Sequence, residues 1–239
     1  MTKLIEWIDR NGCRKVTFDM PNYDYTTDLE GNIIITKYTG NEKNISIPDT
    51  FAEHKIVAIG SKAFFNLQNI NSIIISDNIK NIGYRAFEGC SSLTSVNIPN
   101  SVISIGDKAF YKCFSLNSIT LSNNITNIGY EMFGLCINLK SINICNNIIN
   151  IGDGAFFGCS SLETISIPYN VIKIGNYAFE ECDNLKFITI LNNSADIGEG
   201  TFSNCGKLIV CCNENSYAWR YCEENNIPHK PMEEKSNDC

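Results

Sequence analysis

Cysteine has the widest chemical range of any residue in this 239-residue chain, and it occurs twelve times. Six copies, Cys90, Cys113, Cys136, Cys159, Cys182 and Cys205, stand 23 residues apart. A thiol in such a series is a nucleophile, a metal ligand, half of a disulfide, or a small buried hydrophobe. In the stretch IGYRAFEGCSSL, residues 82–93, Cys90 also has a glycine and two serines beside it.

Each chemical reading needs partners, and the partners are few. Zinc would call for closely spaced Cys or His pairs, but no C-x-x-C or C-x-x-H is present. The only histidines are His54 and His229. Cys211-Cys212, with Cys205 and Cys222 in reach, comes nearest to a metal set, yet adjacent cysteines chelate poorly. Cys211 is expected to face inward and Cys212 outward. Neither histidine has an obvious acidic partner for Cys-His or Ser-His catalysis. Acidic pairs such as Glu180-Glu181 and Glu223-Glu224 read as solvated faces. No enzyme activity and no cofactor are expected, and a thiol-dependent enzyme is a remote alternative.

The spacing itself decides the rest. Ile-Gly recurs at Ile59-Gly60, Ile82-Gly83, Ile105-Gly106, Ile128-Gly129, Ile151-Gly152, Ile174-Gly175 and Ile197-Gly198, always 23 residues on. A phenylalanine follows each glycine by four, at Phe64, Phe87, Phe110, Phe133, Phe156, Phe179 and Phe202. The cysteine comes three later, with Leu67 in its place in the first copy. Leu93, Val96 and Ile98 alternate as a short strand with one buried face. The segment DKAFYKC reads as a helical turn returning Ala109, Phe110 and Cys113 inward, with Gly106 turning the chain before it. One unit cannot cover its own apolar face, so units must stack.

In stacked parallel strands neighbouring coils lie about 4.8 Å apart. Equivalent side chains point the same way, so their Cβ atoms stay about that far apart, whereas disulfides favour about 3.8 Å. The cysteines are therefore expected to form a ladder of free buried thiols, with disulfides as the alternative.

The pattern L-x-x-I-x-I-P-x-x-V-x-x-I-G-x-x-A-F-x-x-C-x-x-L resembles the BspA-like leucine-rich repeats of bacterial surface proteins and some parasitic protists. The resemblance runs over about residues 31 to 228. It implies an α/β solenoid, a right-handed superhelix of seven 23-residue repeats with a parallel sheet on one face and short helical turns on the other. It also implies a role in adhesion or in protein or matrix binding, without shared catalytic residues. The domain reading is an N-terminal cap at 1–44, the solenoid at 45–212, a capping helix at 213–228 and a flexible tail at 229–239. Leu4, Ile5, Trp7 and Ile8 are read as an amphipathic turn closing one end, with Gly12 as its stop. Ser216 is read as the N-cap of the closing helix, with Ala218, Trp219, Tyr221 and Cys222 as its apolar cover.

Composition narrows the partners. The net charge is −7 and the basic residues are scattered, which excludes the electrostatic footprint of a nucleic-acid binder. No apolar run approaches the roughly 18 residues of a membrane helix. The first fifteen residues lack a secretory signal, so the chain as written is expected in the cytoplasm. The family resemblance implies the cell surface or secretion for a chain trimmed of its signal.

Strand register names the outward residues as Ser72, Ile74, Ser76; Ser95, Asn97, Pro99; Ser118, Thr120, Ser122; Ser141, Asn143, Cys145; Thr164, Ser166, Pro168; Phe187, Thr189, Leu191. Of these, Ser95, Asn97, Ser118, Thr120, Ser141, Asn143, Thr164, Ser166, Phe187, Thr189 and Leu191 are the candidate binding residues. They make a nearly uncharged face for a protein, matrix ligand or glycan. Phe187 and Leu191, with Val210, suggest an apolar patch at one end. The expected state is a monomer or a weak self-associate. The alternative role is an intracellular scaffold or self-assembling protein. On the other face Phe65, Tyr111 and Phe157 recur every second unit, while Glu88, Gly134 and Glu180 occupy the units between and Tyr84 and Tyr130 follow the Ile-Gly there. The rings are expected to fill gaps beside Gly and Glu.

Overall fold

The computed structural model describes residues 4–8 and 14–232, with side chains described from Asp19 on. The alternating apolar positions build a β-solenoid. Strands Ser72–Ile74, Ser95–Asn97 and Ser118–Thr120 pair in parallel with a 23-residue register, so Val96 lies between Ile73 and Ile119. Thr164–Ile167, Phe187–Ile190 and Ile209–Cys212 continue the same side as a second parallel ladder. Between the two ladders, residues 141–145 carry no strand pairing. A second wall consists of two-residue strands such as Asn81–Ile82, Ser104–Ile105, Asn150–Ile151 and Lys173–Ile174, again parallel.

The solenoid and its parallel sheet are as expected, but the third side is built of successive turns rather than helical ones. Two residues in every copy adopt positive φ: Lys108 and Lys112 (57° and 60°), and Gly154 and Gly158 (59° and 66°) in a later one. Left-handed residues four apart cannot belong to a right-handed helix. Successive turns form instead, and every second amide donates to the next coil. Phe87 N–H reaches Ala109 O and Gly89 N–H reaches Tyr111 O, both at 2.8 Å. This side is therefore stitched between coils much as a sheet is. Among the described residues the only helix is Tyr217–Glu224.

The interior is a stack of rings. From Phe64 to Phe202, consecutive Phe centroids lie 5.1 to 5.9 Å apart. Tyr38 precedes the stack at 5.5 Å and Tyr221 closes it edge-on at 6.0 Å. Burying each Phe is worth about 1.5–3 kcal/mol, so the spine carries much of the cohesion. The glycine of Ile-Gly opens the turn, with Gly106 O accepting from Ala109 N–H at 3.3 Å, and it also serves this close stacking. A Cβ on Gly106 would lie 2.5 Å from the Tyr84 main-chain nitrogen, and φ there is not positive.

Segments from Tyr23 on and from Tyr217 to Pro231 extend the solenoid at its two ends. Tyr23–Thr27 pairs antiparallel with Ile33–Tyr38, which pairs in parallel with His54–Ile59. Asn44–Ser46 joins Ser72–Ile74, so the expected boundary at 44 falls inside a strand. Leu4–Ile8 is a strand against Arg14–Phe18, not an amphipathic turn, and Gly12 lies outside the described residues. At the far end the Ser216 hydroxyl accepts from Trp219 N–H at 3.1 Å, and Ala218 and Cys222 are fully buried. His229–Pro231, expected in the flexible tail, pairs in parallel with Val210–Cys212. The rest of the expected tail, from 233 on, lies outside the described residues.

Candidate functional site

The cysteine ladder is structural chemistry. Cys90, Cys113, Cys136, Cys159 and Cys182 are fully buried and all ten described cysteines are free. Each ladder thiol donates to the main-chain carbonyl of the spine phenylalanine one coil back. The distances run from 3.0 Å for Cys205 to Phe179 to 3.3 Å for Cys182 to Phe156. Burial pushes the Cys90 and Cys159 thiols up to about 12, which holds them protonated and unreactive. Cys212 is buried and Cys211 half-buried, the reverse of expectation. The last strand is one residue short, since Phe187 pairs with Ile209 rather than Val210, and the alternation slips. Val210 is accordingly buried and leaves the expected apolar patch to Phe187 and Leu191, 40% and 36% exposed. Lys230 Nζ lies 5.6 Å from the Phe187 ring.

The strand face presents the remaining expected residues to solvent. Ser95, Asn97, Ser118, Thr120, Ser141, Asn143, Thr164 and Ser166 are all exposed, and Thr189 is half-buried. Ser76, Pro99, Ser122, Cys145 and Pro168, expected outward, are buried. In these five coils the third outward position closes over the core instead, and the Ser122 hydroxyl is satisfied there by Val102 O at 2.6 Å.

Where the ladder is interrupted, the face deepens into a trough of about 550 Å³. Asn97, Thr120 and Asn143 line one wall, while Asp77, Asn100 and Asn123 line the other. A second hollow of about 370 Å³ shares Asn123, Asn143 and Cys145 with it and extends to Asn146 and Asn147. The second wall was missed by strand alternation, although its residues also repeat every 23 positions just past the strand. Amides tie it from coil to coil. Asn123 N–H donates to Asn100 Oδ1 at 2.9 Å, and Asn147 Nδ2 donates to Asn123 O at 2.6 Å. The trough therefore offers neutral groups that both donate and accept, with one carboxylate.

No helix among the described residues is long and apolar enough to cross a membrane. No group of three metal-binding side chains converges among them.

Comparisons with known proteins agree with the repeat geometry. The sequence profile of the BspA type leucine-rich repeat region matches residues 36–162 and 149–223 in six copies. The crystal structure of a leucine-rich repeat protein from Treponema pallidum superposes with a TM-score of 0.75 at 25% identity, covering 88% of this chain and 95% of that one. A leucine-rich cell surface protein from Faecalibacterium prausnitzii superposes with a TM-score of 0.59 at 22% identity, covering 86% and 76%. No curated protein sequence matches the chain. With the Ile-Gly, Ala-Phe and Cys columns stacked in register and the profile spanning most of its length, this chain belongs to the BspA-type leucine-rich repeat family.

Proposed function

We propose that this protein is a non-catalytic recognition module whose strand face binds a protein or matrix ligand. The observation that carries the reading is the trough between Asn97, Thr120 and Asn143 and the Asp77, Asn100 and Asn123 wall. Amide and hydroxyl groups on a fixed ladder suit peptide bonds or sugar hydroxyls, which also both donate and accept. With no lysine or arginine in its lining, the trough would bind with weak salt dependence. The Faecalibacterium relative is described as a cell surface protein, which favours an adhesive role.

The test is recovery of partners by immobilised native protein against a triple variant, Asn97→Lys, Thr120→Glu and Asn143→Lys. These positions are exposed, so the variant is expected to fold with an unchanged Tm and to lose the specific partners. Equal recovery by both proteins would remove the strand face as the binding surface.

A second reading, an intracellular scaffold, is favoured by the ten free cysteines, since reducing compartments preserve thiols. Thiol titration of protein isolated under acid quench distinguishes the two. Paired ladder cysteines in the isolated protein would sink the scaffold reading.

A further inference from the structure

The residue two before each spine phenylalanine is Lys62, Arg85 and Lys108 in the first three copies. In the last four it is Glu131, Gly154, Tyr177 and Gly200. The three cations are all engaged with rings on the turn side. Lys62 Nζ lies 5.6 Å from the Phe65 centroid and the Arg85 guanidinium 4.9 Å from Tyr84. Lys108 Nζ lies between Tyr111 and Tyr130, at 5.1 and 5.0 Å. Arg85 and Lys108 are also ion-paired, to Glu88 and Glu131, each at 3.1 Å.

Farther along, the rings and carboxylates continue but the cations stop. Gly154 stands where Lys108 stands two copies earlier, with Phe157 in place of Tyr111. Glu180 stands where Glu88 stands four copies earlier, and Tyr177 replaces its arginine. Around Gly154 lies a cavity of about 270 Å³ lined chiefly by Tyr130, Glu131, Asp153, Phe157, Tyr177 and Glu180, with no lysine or arginine in the lining. Tyr130 and Tyr177 are 45% and 42% exposed. One Asp153 carboxylate oxygen accepts Asn176 N–H at 2.9 Å. Glu180 has no ion-pair partner among the described residues, and neither the Phe157 nor the Tyr177 ring has a cation over it.

Ring faces and nearby carboxylates attract an ammonium together, more strongly when it is partly desolvated. The chain demonstrates that arrangement on itself at Lys108. We propose that the Gly154 cavity binds a primary alkylammonium group from outside the chain, in the position that the Lys108 side chain fills two copies earlier. The site lies on the turn side and is separate from the strand face.

The chain also supplies its own competitor for the test. Lysine occupies this column at φ 60° and 57°, close to the 59° of Gly154, so Gly154→Lys fits the local backbone. A Cβ there would meet Glu131 Cγ at 3.0 Å, a flexible side chain that can give way. The introduced ammonium would fill the cavity from within.

The experiment titrates native protein at low ionic strength with n-butylammonium and with N-acetyl-lysine amide, using n-butanol as the uncharged control. Tyr130 and Tyr177 ring resonances report binding, and the Tm of each variant reports folding. Saturable shifts with both amines but not with butanol are expected, abolished in Gly154→Lys and weakened about tenfold in Glu180→Gln, a loss of about 1.4 kcal/mol. Tighter binding of the lysine amide assigns the ligand to a side chain on a partner protein, and equal binding assigns it to a free amine. Absence of saturable shifts in the native protein overturns the proposal. So do equal shifts with butanol, or undiminished binding in a folded Gly154→Lys. Should Gly154→Lys not fold, binding by Glu180→Gln equal to that of the native protein overturns it in the same way.

Discussion

The Cys136 thiol lies 3.2 Å from the main-chain carbonyl of Phe110 in the preceding coil. Cysteine suits this position, being small, apolar and a weak donor. Cys136→Ala removes the sulfur from a site of zero exposure and leaves the Phe110 carbonyl without that donor. A loss of about 1–3 kcal/mol is expected in urea denaturation, combining a small cavity with one hydrogen bond. Because the rung is far from the strand face, partner recovery should be unchanged. A denaturation midpoint equal to that of the native protein would show that the rung is dispensable.

The same burial sets an alkaline limit. The ordinary thiol value is near 9, and Cys90 and Cys159 are pushed to about 12, with Cys113 and Cys136 also raised. The folded state prefers the protonated thiol. That preference is fully present below pH 9 and is lost as pH rises toward 12, because the unfolded chain ionises first. Each such thiol contributes about 1.4 kcal/mol per pH unit across that window. Tm should be flat from about pH 7 to 8.5 on this account and fall steeply above 9. Replacing Cys90 and Cys159 by alanine should make the fall shallower, whereas an identical slope would assign it to other groups.

Substitution separates two kinds of glycine in the repeats. Gly106 has an ordinary φ, but a Cβ would press on the Tyr84 main chain at 2.5 Å. Gly158 has φ 66°, and Asn66 and Asn204 hold the same column at 58° and 61°. Its Cβ would meet only the end of the Leu135 side chain, at 2.6 Å. Gly106→Ala is thus expected to cost about 3 kcal/mol or more by forcing the coils apart. Gly158→Asn is expected to cost less than about 1 kcal/mol. Thermal denaturation of the two variants reads the order directly, and a reversal would refute the spacing role of the Ile-Gly glycine.

The contrast explains what could be read in advance. Ile, Phe, Cys and Leu columns at one period specify stacked coils and the inward face, because no other arrangement buries them together. The turn side was misread because its left-handed positions are filled by Lys62, Arg85, Lys108 and Glu131, all good helix formers. The telling residues there were Gly89, Gly154, Gly158, Gly200, Asn66 and Asn204, six of fourteen places in two columns. Cys211 and Cys212 were transposed by a one-residue shortening that only the pairing of Phe187 with Ile209 reveals. On the strand face, alternation located Asn97, Thr120 and Asn143. It was blind to Asp77, Asn100 and Asn123, which lie past the strand ends where no two-residue period applies.

Packing accounts for the aromatic ring at Tyr111, and Tyr111 with Gly134 provides the measurement. A Cβ on Gly134 would lie 2.8 Å from the Tyr111 ring, and Gly134 is buried. The ring occupies the space that the small neighbour leaves, as the alternation of Tyr111, Gly134 and Phe157 implies. Gly134→Ala in the native background should cost about 1–3 kcal/mol through overpacking. In a Tyr111→Ser background the space is open, and the same substitution should cost markedly less. The double-mutant cycle is expected to return a coupling of at least about 0.5 kcal/mol. Additive costs would mean that ring and glycine are independent and that the ring does not fill the space beside Gly134.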